Sequence, residues 1–215
     1  MKNEIKKSLF VGLGALLTFV LWTLLVCFFD VGAIGPDGSF VGFATLNGFV
    51  HRLTGANMLL YTVTDWLGLV PIATAFVFAV CGLAQWIKRK SILKVERNIL
   101  ALGIFYIVVI AVYILFETVV INYRPVLING YLEASYPSST TMLVMSVMPT
   151  SAMQFKMRIG NAVLSRCAEG LTLAFTAFMV VGRVLSGVHW ITDIIGGAIL
   201  SVGLVSVYYA VGLCE

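Results

Sequence analysis

Residues 9–29 read LFVGLGALLTFVLWTLLVCFF and contain no charged side chain. The hydrocarbon core of a bilayer is about 30 Å thick, and an α-helix needs about 20 apolar residues to cross it. This stretch is therefore long enough to span a membrane as a single helix. We interpret it as a retained anchor rather than a cleaved signal peptide, because no small-residue cleavage site follows it.

The composition of the whole chain also indicates a membrane protein. Of its 215 residues, 60% are apolar and only 11% are charged, whereas soluble domains carry about 25% charged residues. This balance excludes a soluble globular enzyme, a disordered tail and a nucleic-acid-binding module. The net charge is +4, so the positions of the charges are more informative than their sum.

Five further apolar runs are candidate membrane spans. They are residues 67–87, 99–120, 138–153, 162–188 and 190–213, of which 138–153 is the shortest. The alternation typical of strands is absent, so helices are the only spanning element expected. The sequence therefore predicts an all-α fold, a bundle of six transmembrane helices that forms one domain over residues 1–215.

The basic residues predict the orientation of this bundle. If six spans alternate, eleven of the 14 Lys and Arg residues fall on one side of the membrane. Positive side chains collect on the cytoplasmic side. We therefore expect a multi-pass protein of the plasma membrane with both termini in the cytoplasm. The three bases expected on the outer side are Arg52, Arg124 and Arg183.

The longest segment between spans, residues 30–65, is expected on the outer side. Apolar residues recur near helical spacing at positions 40, 43, 46, 49, 50 and 53. Gly38 and Ser39 are suited to begin a helix and Gly55 to end it. This pattern predicts an extracytoplasmic amphipathic helix lying in the membrane interface. The alternative is an ordinary loop packed on the bundle.

Three groups of polar residues are expected at the outer ends of the spans, where ionisable side chains are costly and usually functional. The first is Glu117 with the sequence NYRP at residues 122–125. The second is YPSST at residues 136–140, and the third is GRVLSGVHWITD at residues 182–193. Because all three open on the same face, we expect them to form one site.

The residue types in these groups suit phosphate chemistry. Two arginines from separate loops form a fork-shaped anion clamp. Proline followed by Ser138 and Ser139 is a typical helix start, whose free amides attract phosphate. His189 and Asp193 share a helix face, so the carboxylate can fix the imidazole while the other ring nitrogen attacks phosphorus. The structural alternatives are ion pairs for the arginines and the aspartate, a helix cap for the serines, and a structural histidine.

These groups resemble the motifs of the type 2 phosphatidic acid phosphatase family, which are integral-membrane lipid phosphatases. The family motifs are KxxxxxxRP, PSGH and SRxxxxxHxxxD. This chain has ExxxxxxRP at residues 117–125, PSST at 137–140 and GRxxxxxHxxxD at 182–193. The resemblance covers roughly residues 60–213, which we expect to form a phosphatase-like core.

The resemblance implies a role for each matching residue. His189 would be the nucleophile that forms a phosphohistidine intermediate, and Asp193 would be its partner. The side chains implied to bind phosphate are Arg124, Arg183, Ser138 and Ser139. No metal or other cofactor is implied, because the arginines and the helix end stabilise the charge. The four cysteines also lack metal-ligand spacing.

Three positions depart from the family motifs. Glu117 replaces the lysine, Thr140 replaces the histidine that protonates the leaving group, and Gly182 replaces a serine. General acid catalysis contributes about 10²–10⁴-fold, so its loss need not abolish turnover. Glu117 and His51 are candidate substitute acids. Alternatively, Glu117 forms an ion pair with one of the two arginines and weakens the clamp.

Two functions are consistent with this sequence. The first is a metal-independent phosphoric ester or anhydride hydrolase that acts on a lipid phosphate or diphosphate at the outer leaflet. Candidate substrates are phosphatidate, phosphatidylglycerol phosphate and a polyprenyl diphosphate such as undecaprenyl diphosphate. The second is a catalytically degenerate protein that binds or translocates phospholipid, which Glu117 and Thr140 favour. The expected partners are the bilayer and its lipid phosphates, and no nucleic acid.

Overall fold

A computed structural model describes residues 2–212 of the chain. The predicted all-α fold is confirmed, since the described residues form helices and only isolated β-bridges. The α-helices are α1 Lys2–Phe28, α2 Ala44–Thr54, α3 Met58–Leu67, α4 Leu69–Arg89, α5 Arg97–Thr118, α6 Ser139–Arg158, α7 Ala162–Ser186 and α8 Ile191–Gly212. Leu213, at the end of the sixth apolar run, and Cys214 lie outside the described residues.

Five helical stretches are long and apolar enough to cross a membrane. They are Lys2–Phe28, Met58–Arg89, Arg97–Thr118, Ala162–Ser186 and Ile191–Gly212. The chain is therefore a multi-pass membrane protein. By length and hydropathy, the described residues 2–212 contain five candidate spans and not the six that were predicted. The apolar run at 138–153 belongs to α6, which is less apolar than the other long helices.

Helix α6 is polar because it lies inside the bundle. It packs against α4, α5, α7 and α8, and its Ser146, Thr150 and Gln154 are fully buried. Thr150 Oγ1 donates to Ser146 O at 2.8 Å, and Gln154 Nε2 donates to Tyr208 Oη at 2.7 Å. Protein rather than lipid surrounds this helix, so hydroxyl and amide groups are tolerated where they find partners.

The second span begins earlier than the predicted residue 67. Helices α3 and α4 run almost continuously from Met58 to Arg89, with a break at Gly68. The Gly68 amide donates to Thr64 O and to Asp65 O. The sequence prediction placed these residues in a loop because Asp65 interrupts the apolar run. As a result, the sequence prediction did not include helix α3.

Helices α1 and α8 pack closely through glycines. A Cβ on Gly12 would lie 2.8 Å from Val207 Cγ2, and one on Gly203 would lie 2.8 Å from Leu16 Cδ2. Small residues allow this approach between membrane helices. The Trp22 indole Nε1 donates to Thr192 O at 3.1 Å, so α1 also holds the first turn of α8.

The predicted amphipathic helix is present as α2, but it is shorter than expected. It ends at Gly55 as predicted and begins at Ala44, whereas the predicted start at 38–39 lies at the end of a short 3₁₀ turn. Its buried residue is the polar Asn47, which donates to Thr192 Oγ1 at 2.9 Å. Apolar residues of the helix remain exposed, and its location in the membrane interface stays a prediction.

Candidate active site

The three polar groups predicted from the sequence meet at one end of the bundle, which we call the site end. Helices α5 and α7 finish there, and helices α6 and α8 begin there. Most Lys and Arg residues belong to the opposite helix ends, within residues 2–7, 88–97 and 156–166. The fold therefore separates the basic residues that indicate orientation from the small set of charges at the site end.

The connection between α5 and α6 folds back on itself and carries Arg124 into the site. The Arg124 amide donates to Glu133 O at 3.0 Å, and the Ser135 amide donates to Asn122 O at 2.9 Å. These bonds place the side chains of Arg124 and Ser135 on either side of one imidazole, that of His189. Arg124 belongs to the first of the predicted polar groups, whereas Ser135 belongs to none of them.

The hydrogen bonds of His189 fix the tautomer of its imidazole. Its Nε2 lies 3.2 Å from Arg124 Nη1, and its Nδ1 lies 3.0 Å from Ser135 Oγ. A guanidinium has no acceptor, so Nε2 must accept and Nδ1 must carry the proton. The Ser135 hydroxyl in turn donates to Asp193 Oδ2 at 2.6 Å. A chain of hydrogen bonds therefore runs from Arg124 through His189 and Ser135 to Asp193.

Asp193 is fully buried and accepts three hydrogen bonds. Besides Ser135, the Asn122 amide donates to Oδ1 at 3.0 Å, and the Trp190 backbone amide donates to Oδ2 at 3.2 Å. The Trp190 indole is held by Tyr123 O at 2.7 Å. Sequence spacing predicted a partnership of Asp193 with His189, and the structure places Ser135 between the two side chains.

The surroundings of His189 favour its neutral form. Burial lowers the pKa of the imidazole well below its usual value of 6.5, and the charges of Arg124 and Arg183 lower it further, while a hydrogen bond to Ser135 acts in the opposite direction. At neutral pH the imidazole is therefore uncharged. Its Nε2 lone pair faces Arg124 and is chemically suited to attack an electrophile held by the arginines.

Arg183 is 1% exposed and has spare hydrogen-bonding capacity. Its Nη2 donates to Asp65 Oδ1 at 3.0 Å and also to Thr140 Oγ1. Within residues 2–212, its Nε and Nη1 have no hydrogen-bond partner. Leaving such buried donors unpaired costs about 1–3 kcal/mol each. An anion that accepts these bonds would remove that cost.

Arg124 is arranged in a similar way. Its Nε lies 3.1 Å from Glu133 Oε2, an ion pair whose geometry does not form a hydrogen bond. The Tyr61 ring lies beside both guanidinium groups, with its centroid 5.8 Å from Arg124 Cζ and 5.0 Å from Arg183 Cζ. Two carboxylates and one aromatic ring outside the predicted set therefore contact the arginine pair.

The two serines of the second group occupy different positions. Ser138 is the N-cap of α6, where its Oγ accepts from the Thr141 amide at 3.5 Å and its own amide donates to Asp193 O at 3.0 Å. The helix-cap interpretation therefore describes Ser138 in this structure. Ser139 is the first residue of α6 and lines a shallow crevice with Glu117 and Ser135.

Among the described residues, neither candidate substitute acid forms a hydrogen bond or an ion pair with Arg124 or Arg183. Glu117 is exposed in the last turn of α5, and the carboxylates that pair with the arginines are instead Glu133 and Asp65. This corrects the alternative in which Glu117 pairs with an arginine. His51 lies on α2, with its ring 5.5 Å from the Trp190 ring, in a crevice that His189 also lines.

Sequence reasoning missed four residues that the structure brings to the site: Tyr61, Asp65, Glu133 and Ser135. For Asp65 a signal existed, because it is an ionisable residue four positions after Tyr61 and just before an apolar run. Glu133 and Ser135 lie in a loop without periodicity. Only the folding of the loop back onto Arg124 brings them to the site.

Comparisons with known proteins found a family model and a solved structure that are similar to this chain. The sequence model of the PAP2 superfamily matches residues 117–213, which contain all three motifs. The crystal structure of the first transmembrane PAP2 type phosphatidylglycerolphosphate phosphatase from Bacillus subtilis is similar, with a TM-score of 0.64 and 16% sequence identity, over 95% of this chain and 96% of that one. At this identity the likeness shows a shared fold. No curated protein matches the sequence. Residues 117–213 of this chain are therefore similar to the PAP2 superfamily.

Proposed function

We propose that the protein is a membrane lipid phosphatase that transfers phosphate from a lipid phosphate or diphosphate to His189 and then to water. One observation carries this proposal. Buried guanidinium nitrogens of Arg124 and Arg183 have no hydrogen-bond partner within the described residues, and Arg124 Nη1 adjoins a neutral imidazole whose Nε2 is unprotonated. This pairing of an anion clamp with a nucleophile suits a phosphoryl group.

The first chemical step follows from this geometry. A substrate phosphate displaces Arg124 from Nε2 and takes its hydrogen bonds from both arginines. The Nε2 lone pair then forms a bond to phosphorus, and the bond from phosphorus to the leaving oxygen breaks with its electron pair on that oxygen. The first turn of α6 contributes amides directed at anionic oxygens.

Ser135 and Asp193 stabilise the charge that this step creates. When Nε2 bonds to phosphorus, the imidazole becomes a cation whose Nδ1–H already points at Ser135 Oγ. The serine hydroxyl points at Asp193, so the buried carboxylate stabilises the cation through the serine. No proton needs to move along this chain, because each hydrogen bond keeps its donor.

The leaving group determines which lipid suits this site. Thr140 replaces the motif histidine, and a threonine hydroxyl does not donate a proton near neutral pH. A leaving oxygen that is stable as an anion therefore suits the site best, as in a lipid diphosphate that releases phosphate monoester. We propose a polyprenyl diphosphate such as undecaprenyl diphosphate ahead of phosphatidate and phosphatidylglycerol phosphate.

Location in the membrane is part of the proposal. The basic residues collect at the ends opposite the site. Under the positive-inside rule this supports cytoplasmic termini and a site at the outer leaflet of the plasma membrane. Apolar side chains near the site are exposed on α2 and α3, among them Phe49, Leu53 and Leu59. Such surfaces suit lipid chains that enter from the side.

A second candidate function is lipid binding or translocation without turnover. The observation that favours it is the pairing of both arginines with carboxylates, Arg124 with Glu133 and Arg183 with Asp65. These pairs reduce the net positive charge available to a phosphate dianion.

Phosphate release distinguishes the two functions. Purified protein in lipid nanodiscs is incubated with undecaprenyl diphosphate, phosphatidylglycerol phosphate and phosphatidate in turn, and inorganic phosphate is measured. We expect release to be fastest from the diphosphate and to be lost in His189→Ala. Saturable binding of these lipids with no release from any of them would favour the second function.

A further inference from the structure

We propose that Asp65, which lies beside the position of the histidine missing from the second motif, is the general base that activates water for hydrolysis of the phosphohistidine. This inference rests on the proposed function and deepens it. Asp65 lies on α3, outside the matched residues 117–213, so no motif assigns it a role.

A shared hydrogen-bond donor places Asp65 beside the position of the missing histidine. Arg183 Nη2 donates to Asp65 Oδ1 at 3.0 Å and to the hydroxyl of Thr140. Thr140 occupies the place where the family pattern has its histidine. Because both oxygens bind one nitrogen, the Asp65 carboxylate lies next to that place and next to the phosphate-binding arginine.

The close approach of α3 to α7 explains how Asp65 reaches the site. A Cβ on Gly182 would lie 2.7 Å from Thr64 Cγ2, so the serine found at this position in the family motif would collide with α3. Gly182 directly precedes Arg183, and Thr64 directly precedes Asp65. The contact between Gly182 and Thr64 therefore brings the next residues of both helices together. On this view, Gly182 and Thr140 are the motif departures that make room for Asp65 at the site.

The surroundings of Asp65 suit a base rather than an acid. Its side chain is 56% exposed, so the carboxylate has room to contact a water molecule. Its Oδ1 accepts a hydrogen bond from Arg183 Nη2, so the carboxylate lies against the arginine expected to bind phosphate. An ionised carboxylate accepts a proton from water but has none to donate to a leaving group. The other paired carboxylate, Glu133, contacts Arg124. It does not share a hydrogen-bond donor with Thr140, whose hydroxyl is bonded by Arg183.

The hydrolytic step balances as follows. A water oxygen forms a bond to phosphorus, the bond from phosphorus to Nε2 breaks, and its electron pair returns to His189. The water proton passes to the Asp65 carboxylate and from there to bulk solvent. The products are inorganic phosphate and neutral His189. Since no acid assists the earlier step, the substrate class is a lipid phosphoanhydride, whose leaving phosphate needs no proton.

Trapping of the phosphoenzyme tests this assignment. Purified wild-type protein and Asp65→Asn are mixed with lipid diphosphate labelled with ³²P in its terminal phosphate, quenched with alkali, and assayed for protein-bound label and free phosphate. We expect Asp65→Asn to be labelled on His189 at the wild-type rate but to release phosphate about 10²-fold more slowly. Label should then accumulate in the variant and not in the wild type.

Matched variants distinguish a role of Asp65 as a base from an effect of its negative charge on the arginines. Glu133→Gln removes the corresponding carboxylate from the other arginine, and we expect no accumulation of label. Asp65→Ala should accumulate label as well, and added formate should restore its phosphate release because a small carboxylate can occupy the empty position. Rescue requires a folded site, so it reports on chemistry rather than on stability.

Three outcomes would overturn the assignment to Asp65. In the first, Asp65→Asn releases phosphate at the wild-type rate. In the second, labelling and phosphate release in Asp65→Asn are slowed by the same factor. In the third, Asp65→Ala is labelled but formate does not restore its phosphate release. Absence of both label and phosphate release in the wild-type protein would instead overturn the proposed function, and this inference with it.

Discussion

Arg124 Nη1 lies 3.2 Å from His189 Nε2, so the arginine that is expected to bind phosphate also covers the nitrogen that is expected to attack it. Because a guanidinium only donates hydrogen bonds, this contact requires the Nδ1–H tautomer of the imidazole. The site is therefore prepared for substrate in two respects. The nucleophilic lone pair is present, and the arginine beside it must move only from nitrogen to a phosphate oxygen.

The lowered pKa of His189 predicts its behaviour with pH. Burial and the two arginine charges keep the imidazole neutral below its usual pKa of 6.5. ¹⁵N NMR of histidine-labelled protein, with His51→Gln to leave one imidazole, should show an unprotonated Nε2 from pH 8 down through 6.5. The unfolded chain takes up this proton first as pH falls, so the associated stabilisation is present above 6.5 and decreases below it. Titration of His189 at or above pH 6.5 would contradict this prediction.

The hydrogen-bond chain through Ser135 predicts a coupled pair of substitutions. Ser135→Ala removes the hydroxyl between His189 and Asp193, and we expect kcat/KM to fall about 10-fold or more, since a hydrogen bond to a charged group contributes about 1.5–3 kcal/mol. Ser135→Thr keeps a hydroxyl and should retain most activity.

A double-mutant cycle tests whether Ser135 acts through Asp193. If it does, Ser135→Ala combined with Asp193→Asn should be no slower than the slower single variant, because either change alone breaks the same chain. Losses that multiply in the double variant would show that the two residues act independently.

The contact between α3 and α7 predicts an effect on stability. Gly182→Ser places a Cβ 2.7 Å from Thr64 Cγ2, and such overpacking typically costs about 1–3 kcal/mol. The midpoint of thermal unfolding in detergent should therefore fall. Gly170→Ser is the control on the same helix, because a Cβ there meets nothing within 4 Å. Equal midpoints for the two variants would argue against the tight contact.

The proposed orientation is tested by labelling of single cysteines. Leu93→Cys and Tyr131→Cys introduce thiols at two exposed positions, one between α4 and α5 and one between α5 and α6. In an otherwise cysteine-free protein, an impermeant maleimide added to intact cells should label position 131 and leave position 93 unlabelled. The reverse pattern would invert the proposed orientation, and labelling of both would contradict the topology.

Much of the fold was predictable because membrane spans are recognisable as long apolar runs in the sequence. Residues 9–29 and 99–120 lie almost wholly within α1 and α5, since a charge-free apolar run of that length has few alternatives to a helix in lipid. Helix α6 is not apolar enough to be identified as a span from hydropathy, because it carries polar residues that bond to neighbouring helices. Helix α3 was not predicted, because the charge of Asp65 is typical of a loop. Only the structure shows that Arg183 pairs with this carboxylate.

The candidate site was predictable only where functional residue types stand at the spacing of a motif. Arg124, Arg183, His189 and Asp193 keep their motif positions, and the structure brings them to the same end of the bundle. Ser135 has no such spacing, and its place between two distant side chains depends on how a loop folds back. Contacts of this kind arise from tertiary structure, so a single sequence does not reveal them.

The central claim is that His189 is the nucleophile of a lipid phosphatase. It is tested most directly by initial rates of phosphate release from undecaprenyl diphosphate in nanodiscs, with wild-type protein, His189→Ala and His51→Ala, the substitution of the other histidine. We predict release by the wild type, retention of activity within about tenfold in His51→Ala, and a loss of about 10⁴-fold or more in His189→Ala. Release by His189→Ala at the wild-type rate would contradict the account.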